Sequence, residues 1–251
     1  MIIEACVNSA VSAIEAQKGG AGRVELCENL HDGGTTPSAG SIRLARNKLQ
    51  IDLFVMIRPR GGDFLYSTEE FEIMKEDIRV AKNLGADGVV FGILLPGGAL
   101  DVKRMRVLIE MARPMGVTCH RAFDMTADPF QAMEDLIGLG VDRILTSGQQ
   151  PTAQQGAPLI RDLINKSAGR IIIMPGSGIK EPNAAAVIES TGAKEIHIHL
   201  EKIRKSKMQF VQPGIYMGKP GQSAFENTIA DWKSISELRL TIDNRQLTID
   251  N

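Results

Sequence analysis

Leu84-Gly85-Ala86-Asp87-Gly88-Val89-Val90-Phe91-Gly92 is the stretch whose reading decides the fold. A glycine ends a helical run, an aspartate follows, and a short apolar run starts at once and ends on glycine. Glycine takes the left-handed conformation that closes a helix without steric cost. A short apolar run bounded this way reads as a strand buried on both faces, the pattern of a parallel sheet. The punctuation recurs in Lys18-Gly19-Gly20-Ala21-Gly22-Arg23, Leu139-Gly140-Val141-Asp142-Arg143 and Thr191-Gly192-Ala193-Lys194-Glu195.

Working outward from these spacers, strands are expected at 2–7, 23–27, 52–58, 88–92, 117–121, 143–146, 170–174 and 195–200. Helices fill the gaps. Asn8 can cap a helix over 9–17, and Ser67 or Thr68 one that runs to 83 with Glu69 and Glu70 in its first turn. Asp101 can cap one to 115. Asp128-Pro129 opens another to 139, and Glu181-Pro182 repeats that signal before 184–191. Repeated strand–helix units make a parallel sheet with right-handed crossovers. Eight of them favour closure into a single-domain (β/α)₈ TIM barrel, which uses about 250 residues. The chain has 251. An open doubly wound sheet is the alternative, but no Gly-x-Gly-x-x-Gly follows the first strand.

Residues 1–238 are therefore assigned to the barrel. Within them, 201–223 reads as a long loop with Pro213, Gly214, Pro220 and Gly221, and 224–238 as a closing helix. Leu240-Thr241-Ile242-Asp243-Asn244 then recurs as Leu247-Thr248-Ile249-Asp250-Asn251. The tail, 239–251, is expected to be peripheral, so that deletion from Thr241 leaves folding intact.

Charged residues are 24% of the chain and the formal net charge is -1. No basic excess is present to attract nucleic acid or a membrane surface. Two Tyr and one Trp make base-stacking platforms unexpected. The start, Met1-Ile2-Ile3-Glu4, lacks the pattern of a signal peptide, and no run approaches the ~20 apolar residues of a membrane span. Three cysteines, an odd and sparse count, point to reduced thiols in the cytoplasm.

Side chains at the C-terminal ends of barrel strands converge on the active mouth. Those positions hold Glu4 and Cys6, Glu25 and Cys27, Arg58 and Arg60 followed by Asp63, then His120, Arg121 and Asp124, Ser147, and His197 and His199. Charges inside strands buried on both faces are costly unless paired or functional. A ring of Glu–Arg salt bridges explains one or two pairs; a functional mouth explains the number better. Glu4, Glu25, His120, Asp124 and His197 are candidate acids and bases, with Asp124 placed to orient His120. A buried structural His–Asp pair fits nearly as well. Glu4 and Cys6 share a strand face, as do Glu25 and Cys27 on the next strand. In phase, the two thiols could approach each other and hold Cu(I) or Zn²⁺. With no Cys-x-x-Cys and only two thiols, residue types alone favour simple packing. Arg58, Arg60, Asp63, Arg121, Ser147 and the Gly176-Ser177-Gly178 turn are candidate contacts for a small anionic or phosphorylated ligand. The turn alone is equally explained by its backbone geometry. An enzyme acting on such a metabolite is one reading, whether lyase, isomerase or hydrolase.

Several longer motifs resemble one family. They are Glu4-Ala5-Cys6-Val7, Arg23-Val24-Glu25-Leu26-Cys27, Gly33-Gly34-Thr35-Thr36-Pro37-Ser38, Met56-Ile57-Arg58-Pro59-Arg60-Gly61-Gly62-Asp63-Phe64, His120-Arg121-Ala122-Phe123-Asp124, Leu145-Thr146-Ser147-Gly148 and Met174-Pro175-Gly176-Ser177-Gly178. Together they resemble the CutC copper homeostasis family from Met1 to about Met217. The resemblance implies a TIM barrel, a cytoplasmic location, self-association as a homodimer or homotetramer, and a role in copper handling with Cys6 and Cys27 as Cu(I) ligands. It assigns no enzyme activity, and the terminal repeat is not part of it.

Overall fold

Eight parallel strands alternate with helices in a nearly closed barrel. The computed structural model describes residues 1–210, 212, 214–215, 223 and 225–249. In chain order, the barrel elements are β1 (Ile2–Val7), α1 (Ala10–Lys18), β2 (Arg23–Leu26), α2 (Ala39–Lys48), β3 (Asp52–Met56), α3 (Thr68–Asn83), β4 (Gly88–Phe91), α4 (Val102–Ala112), β5 (Gly116–Cys119), α5 (Pro129–Gly138), β6 (Arg143–Thr146), α6 (Ala157–Ser167), β7 (Ile172–Pro175), α7 (Glu181–Thr191) and β8 (Glu195–Ile198). The ladder runs β7-β6-β5-β4-β3-β2-β1-β8, and β7 packs beside β8 to close the ring.

Local chemistry sets the helix starts. Ser67 accepts the Glu70 N–H while Glu70 reaches back to the Ser67 N–H, a complete capping box. Asp101 and Asp128 accept first-turn amides as expected, and Pro129 occupies the first turn of α5. The cap of α1 is Ser9, not Asn8; Asn8 accepts from the Ser12 hydroxyl instead.

The decisive spacer has a physical role. Gly85 and Gly140 take φ of +81° and +72° and turn the chain back toward the sheet. The aspartate two residues later then accepts the amide of the second residue of the preceding strand. Asp87 accepts Leu53 N–H at 2.8 Å, and Asp142 accepts Val117 N–H at 2.8 Å. Arg46 and Arg113 hold these carboxylates from the neighbouring helix side.

Outward-facing strand residues such as Ile3, Val24, Leu53, Val55, Val89 and Val117 are fully buried under the helices. Inward-facing residues at the strand starts form a charged floor. Arg23 pairs with Glu4 and, at 2.5 Å, with Glu195; Arg143 binds Glu195 at 2.6 Å. Phe54 lies among them, its ring centroid 5.0 Å from the Arg23 guanidinium and 5.4 Å from that of Arg143. Gly88 leaves room for that ring, since a Cβ there would lie 2.4 Å from Phe54. The salt-bridge ring considered from sequence is thus present, but only at the floor.

The region after β8 departs from expectation. Residues 201–223 do not read as one loop, because β9 (Glu201–Lys205) pairs antiparallel with β10 (Glu226–Ala230) outside the barrel. The strands were hidden because Glu201-Lys202-Ile203-Arg204-Lys205 is exposed throughout and carries no apolar alternation. The closing helix, α8 (Trp232–Ile249), begins later and runs through the first copy of the terminal repeat. Ile242 is 3% exposed and joins the core, Arg239 donates to Met1 O at 3.1 Å, and Thr241 donates to Glu181 at 3.0 Å. Residues 239–249 thus continue a docked helix, while 250–251 lie outside the described residues. The sequence signal failed here because a short repeat looks like an appendage whether or not its helix phase carries one apolar residue inward.

Candidate functional site

The strands aim their inward residues in layers. Ladder pairing sets Glu4 opposite Arg23 on β2 and His197 on β8, and Cys6 opposite Glu25. Above the charged floor this opens a pocket of about 310 Å³, lined by Cys6, Glu25, Met56, Arg58, Phe64, His120, Arg121, Asp124, Leu145 and His197, with Gly33 and Met125 at its edges.

His197 stands at the base. Its Nδ1 lies 2.8 Å from Glu4 Oε1 and its Nε2 lies 3.8 Å from Glu25 Oε2. Burial would raise the Glu4 carboxyl, but the His197 hydrogen bond and the Arg23 charge outweigh it and hold the group at about 2. For His197 burial opposes the charge, yet Glu25, Cys6 and Glu4 together raise its imidazole well above the usual range. Glu25 is pushed up by burial and by the negative groups around it. Its Oε1 has no hydrogen-bond partner among the described residues.

The two thiols meet. Cys6 Sγ lies 3.9 Å from Cys27 Sγ, and Cys27 Sγ lies 3.6 Å from Glu25 Oε2. Cys27 accordingly sits in the second layer of the wall, buried with Met56 and Val90, while Cys6 is half-buried and faces the pocket. The shared hydrogen bond with Cys27, and then His197 and His199, bring the Cys6 thiol well below its ordinary value. The same bond and burial push Cys27 up. His199 lies beside Cys6 with its Nδ1 3.2 Å from the Cys6 carbonyl oxygen, and it is raised to about 9, first by the Cys6 side chain. Among the described residues, two groups could hold a cation: Cys6, Glu25 and Cys27, and Glu4, Glu25 and His197.

The opposite wall holds His120 and Arg58. His120 lies 4.9 Å centroid to centroid from Phe64, and burial followed by the Arg58 charge depresses its imidazole to about 3. Asp124 does not orient His120. It accepts from Thr146 Oγ1 at 2.5 Å, from Ser147 N–H at 3.0 Å and from Arg121 Nε at 2.7 Å, and so fixes the loop after β6. Ser147 is buried against Asp124 and donates to Gln150 O.

Other sequence candidates lie apart from the pocket. Arg60 pairs with Glu70 at 2.5 Å and with Asp63 at 3.0 Å, an exposed cluster that anchors the loop after β3. The Gly176-Ser177-Gly178 turn does not line the pocket. Gly176 packs under His197 and Leu145 and donates its N–H to Thr146 O; Ser177 donates its hydroxyl to Pro151 O. The glycines serve close packing at 176 and backbone reversal at 178. Sequence reasoning missed the apolar wall of Met56, Phe64 and Leu145. Met56 had a signal, sharing the inward parity of Arg58 two residues on.

The comparisons agree with this architecture. A family model described as the CutC family matches residues 1–202. A mouse protein named copper homeostasis protein cutC homolog is 50% identical over 217 residues, covering 86% of this chain and 80% of that one. A CutC family protein of Parabacteroides distasonis is 51% identical over 236 residues, 93% of this chain and 97% of its own. The crystal structure of a CutC protein from Streptococcus agalactiae superposes with a TM-score of 0.75 at 35% identity, covering 78% of this chain and 97% of that one. Thiamine phosphate pyrophosphorylase from Pyrococcus furiosus shares the barrel at a TM-score of 0.58 and 16% identity, over 97% of this chain and 96% of its own, a likeness of fold alone. With matched relatives at half identity over nearly the full length and a barrel shared with a solved member, this chain belongs to the CutC family.

Proposed function

We propose that the chain binds Cu(I) as cargo in the cytoplasm, with Cys6 and Cys27 as its ligands. The observation that carries this reading is the 3.9 Å Sγ–Sγ approach at the wall of an open pocket. Thiolate sulfurs are soft donors and select Cu(I) over hard cations. The half-buried Cys6 faces the pocket and gives the ion a route in, while Met56 and Val90 shield Cys27 on the other side. The Cys27 hydrogen bond, and then His197 and His199, favour the Cys6 thiolate, the form that takes a metal, while the raised Cys27 thiol gives up its proton to bind. Copper homeostasis in the names of the mouse and human relatives supports the same reading. The odd, sparse cysteine count fits a reducing compartment.

Anaerobic Cu(I) titration of the full chain against Cys6→Ser and Cys27→Ser tests the proposal. One tightly held ion is expected for the wild type and a loss of at least tenfold in affinity for each variant. Equal stoichiometry and affinity in all three would end it.

A further inference from the structure

The thiol pair uses only one wall of the pocket. On the other, His120 is 4% exposed, and its Nδ1 accepts the Ala122 N–H at 3.2 Å. The proton of the neutral ring therefore sits on Nε2. That N–H has no partner among the described residues. Arg58 is also 4% exposed. Its terminal nitrogens donate to the carbonyl oxygens of Asp32, Gly34 and Gly62 at 2.8, 2.7 and 2.7 Å. Among the described residues none of its hydrogen bonds reaches a carboxylate, and its Nε has no acceptor. A buried cation with only neutral partners is costly unless an anion completes its site. Phe64 sets the two groups side by side, its ring 5.1 Å from the Arg58 guanidinium carbon and 4.9 Å from the His120 ring. A third unpartnered buried atom, Glu25 Oε1, belongs to the facing wall of the same pocket.

We propose that this pocket binds a small hydroxycarboxylic acid, with its carboxylate against His120 Nε2 and Arg58 and its hydroxyl on Glu25 Oε1. A carboxylate matches two convergent donors. A phosphate needs more, and the turn at 176–178 with its backbone amides lies outside the pocket. A hydroxyl can donate to a carboxylate or accept from a carboxylic acid, so it suits Glu25 in either form. About 310 Å³ holds a ligand of a few carbons, and Phe64, Met56 and Leu145 pack on its chain. Neither the site nor its ligand requires copper.

The test uses the full chain, copper-free under a chelator, with ¹⁵N-labelled histidine. L-malate, succinate, malamide and inorganic phosphate are titrated while the His120 ring resonance is followed. Malate is expected to shift that resonance saturably and to bind roughly tenfold more tightly than succinate, while malamide and phosphate leave it unmoved. With malate binding read by isothermal titration calorimetry in both proteins, His120→Phe should weaken malate by roughly tenfold or more. The proposal is overturned by no saturable shift with malate, by malamide binding as well as malate, by succinate matching malate, by phosphate binding alone, or by unchanged malate affinity in folded His120→Phe. If that variant does not fold, the wild-type ring shift decides. Cu(I) uptake through Cys6 and Cys27 without a malate shift overturns this inference and leaves the copper proposal standing.

Discussion

Glu4 Oε1 lies 2.8 Å from His197 Nδ1, and the two residues are ladder partners on β1 and β8. The other oxygen of Glu4 takes Arg23. One carboxylate thus belongs both to the charged floor and to the pocket, and it turns the second nitrogen of His197 toward Glu25 and Cys6. The floor is therefore part of the site's geometry: what holds the barrel together also aims the imidazole.

This sharing makes stability acid-sensitive. The Glu4 carboxyl is held at about 2 in the fold against an ordinary value of 4.5, so its contribution is fully present above pH 4.5 and is lost as pH falls toward 2. The size is on the order of 3 kcal/mol. Glu195, also lowered, acts in the same direction. Chemical denaturation between pH 6 and 3 should show the loss in wild type and a flatter profile in Glu4→Gln, which starts less stable. An equal pH slope in the two proteins would refute the assignment.

Thiol reactivity should be graded. Cys6 is half-buried and favoured as thiolate, Cys27 is buried and raised, and Cys119 is buried and pushed up to about 12. In copper-free protein at neutral pH, iodoacetamide should label Cys6 first, with Cys119 protected until unfolding. Peptide mass spectrometry over time reads the order. His199→Gln should slow Cys6 labelling by a few-fold.

Asp87 and Asp142 carry equivalent structural roles just before β4 and β6. Alanine at either position leaves a strand-end amide unpaired and should lower stability by about 1–2 kcal/mol. The two carboxylates share no partner, so the two losses should add in the double variant. Urea midpoints of the three variants measure this, and the Cu(I) stoichiometry should not move.

The closing helix should be sensitive to truncation. Ile242 is buried against the core, so Ile242→Ala should cost about 2 kcal/mol or more. Ending the chain at Leu240 removes that side chain and the Thr241–Glu181 and Arg239–Asp243 bonds, and should cost at least as much. Thermal melts of both variants check it; an unchanged midpoint would restore the view of the repeat as a dispensable appendage.

The legible part of the molecule was its periodic part. Short apolar strands, Ser and Asp caps, and the Gly-x-Asp spacers are local chemistry, and each was readable because a few neighbouring residues suffice to specify it. The β9–β10 hairpin was not, since an exposed charged strand has no buried face to leave an alternating trace. Proximity along the chain pairs Asp124 with His120, whereas in space it serves the loop after β6. Arg60 and Asp63, three residues apart, paired with each other and with Glu70.

By itself the sequence determined the barrel, the inward parity of Glu4, Cys6, Glu25 and Cys27, and the presence of cations just after β3 and β5, because backbone geometry dictates which residues of a strand share a face. Only the tertiary structure decided that Cys6 meets Cys27, that Glu4 joins floor to pocket, and that among the described residues Arg58 lacks a counter-ion while Arg60 has two. Those outcomes depend on the stagger between strands and the paths of the loops, and contacts between groups distant in sequence are set by closure of the whole ring.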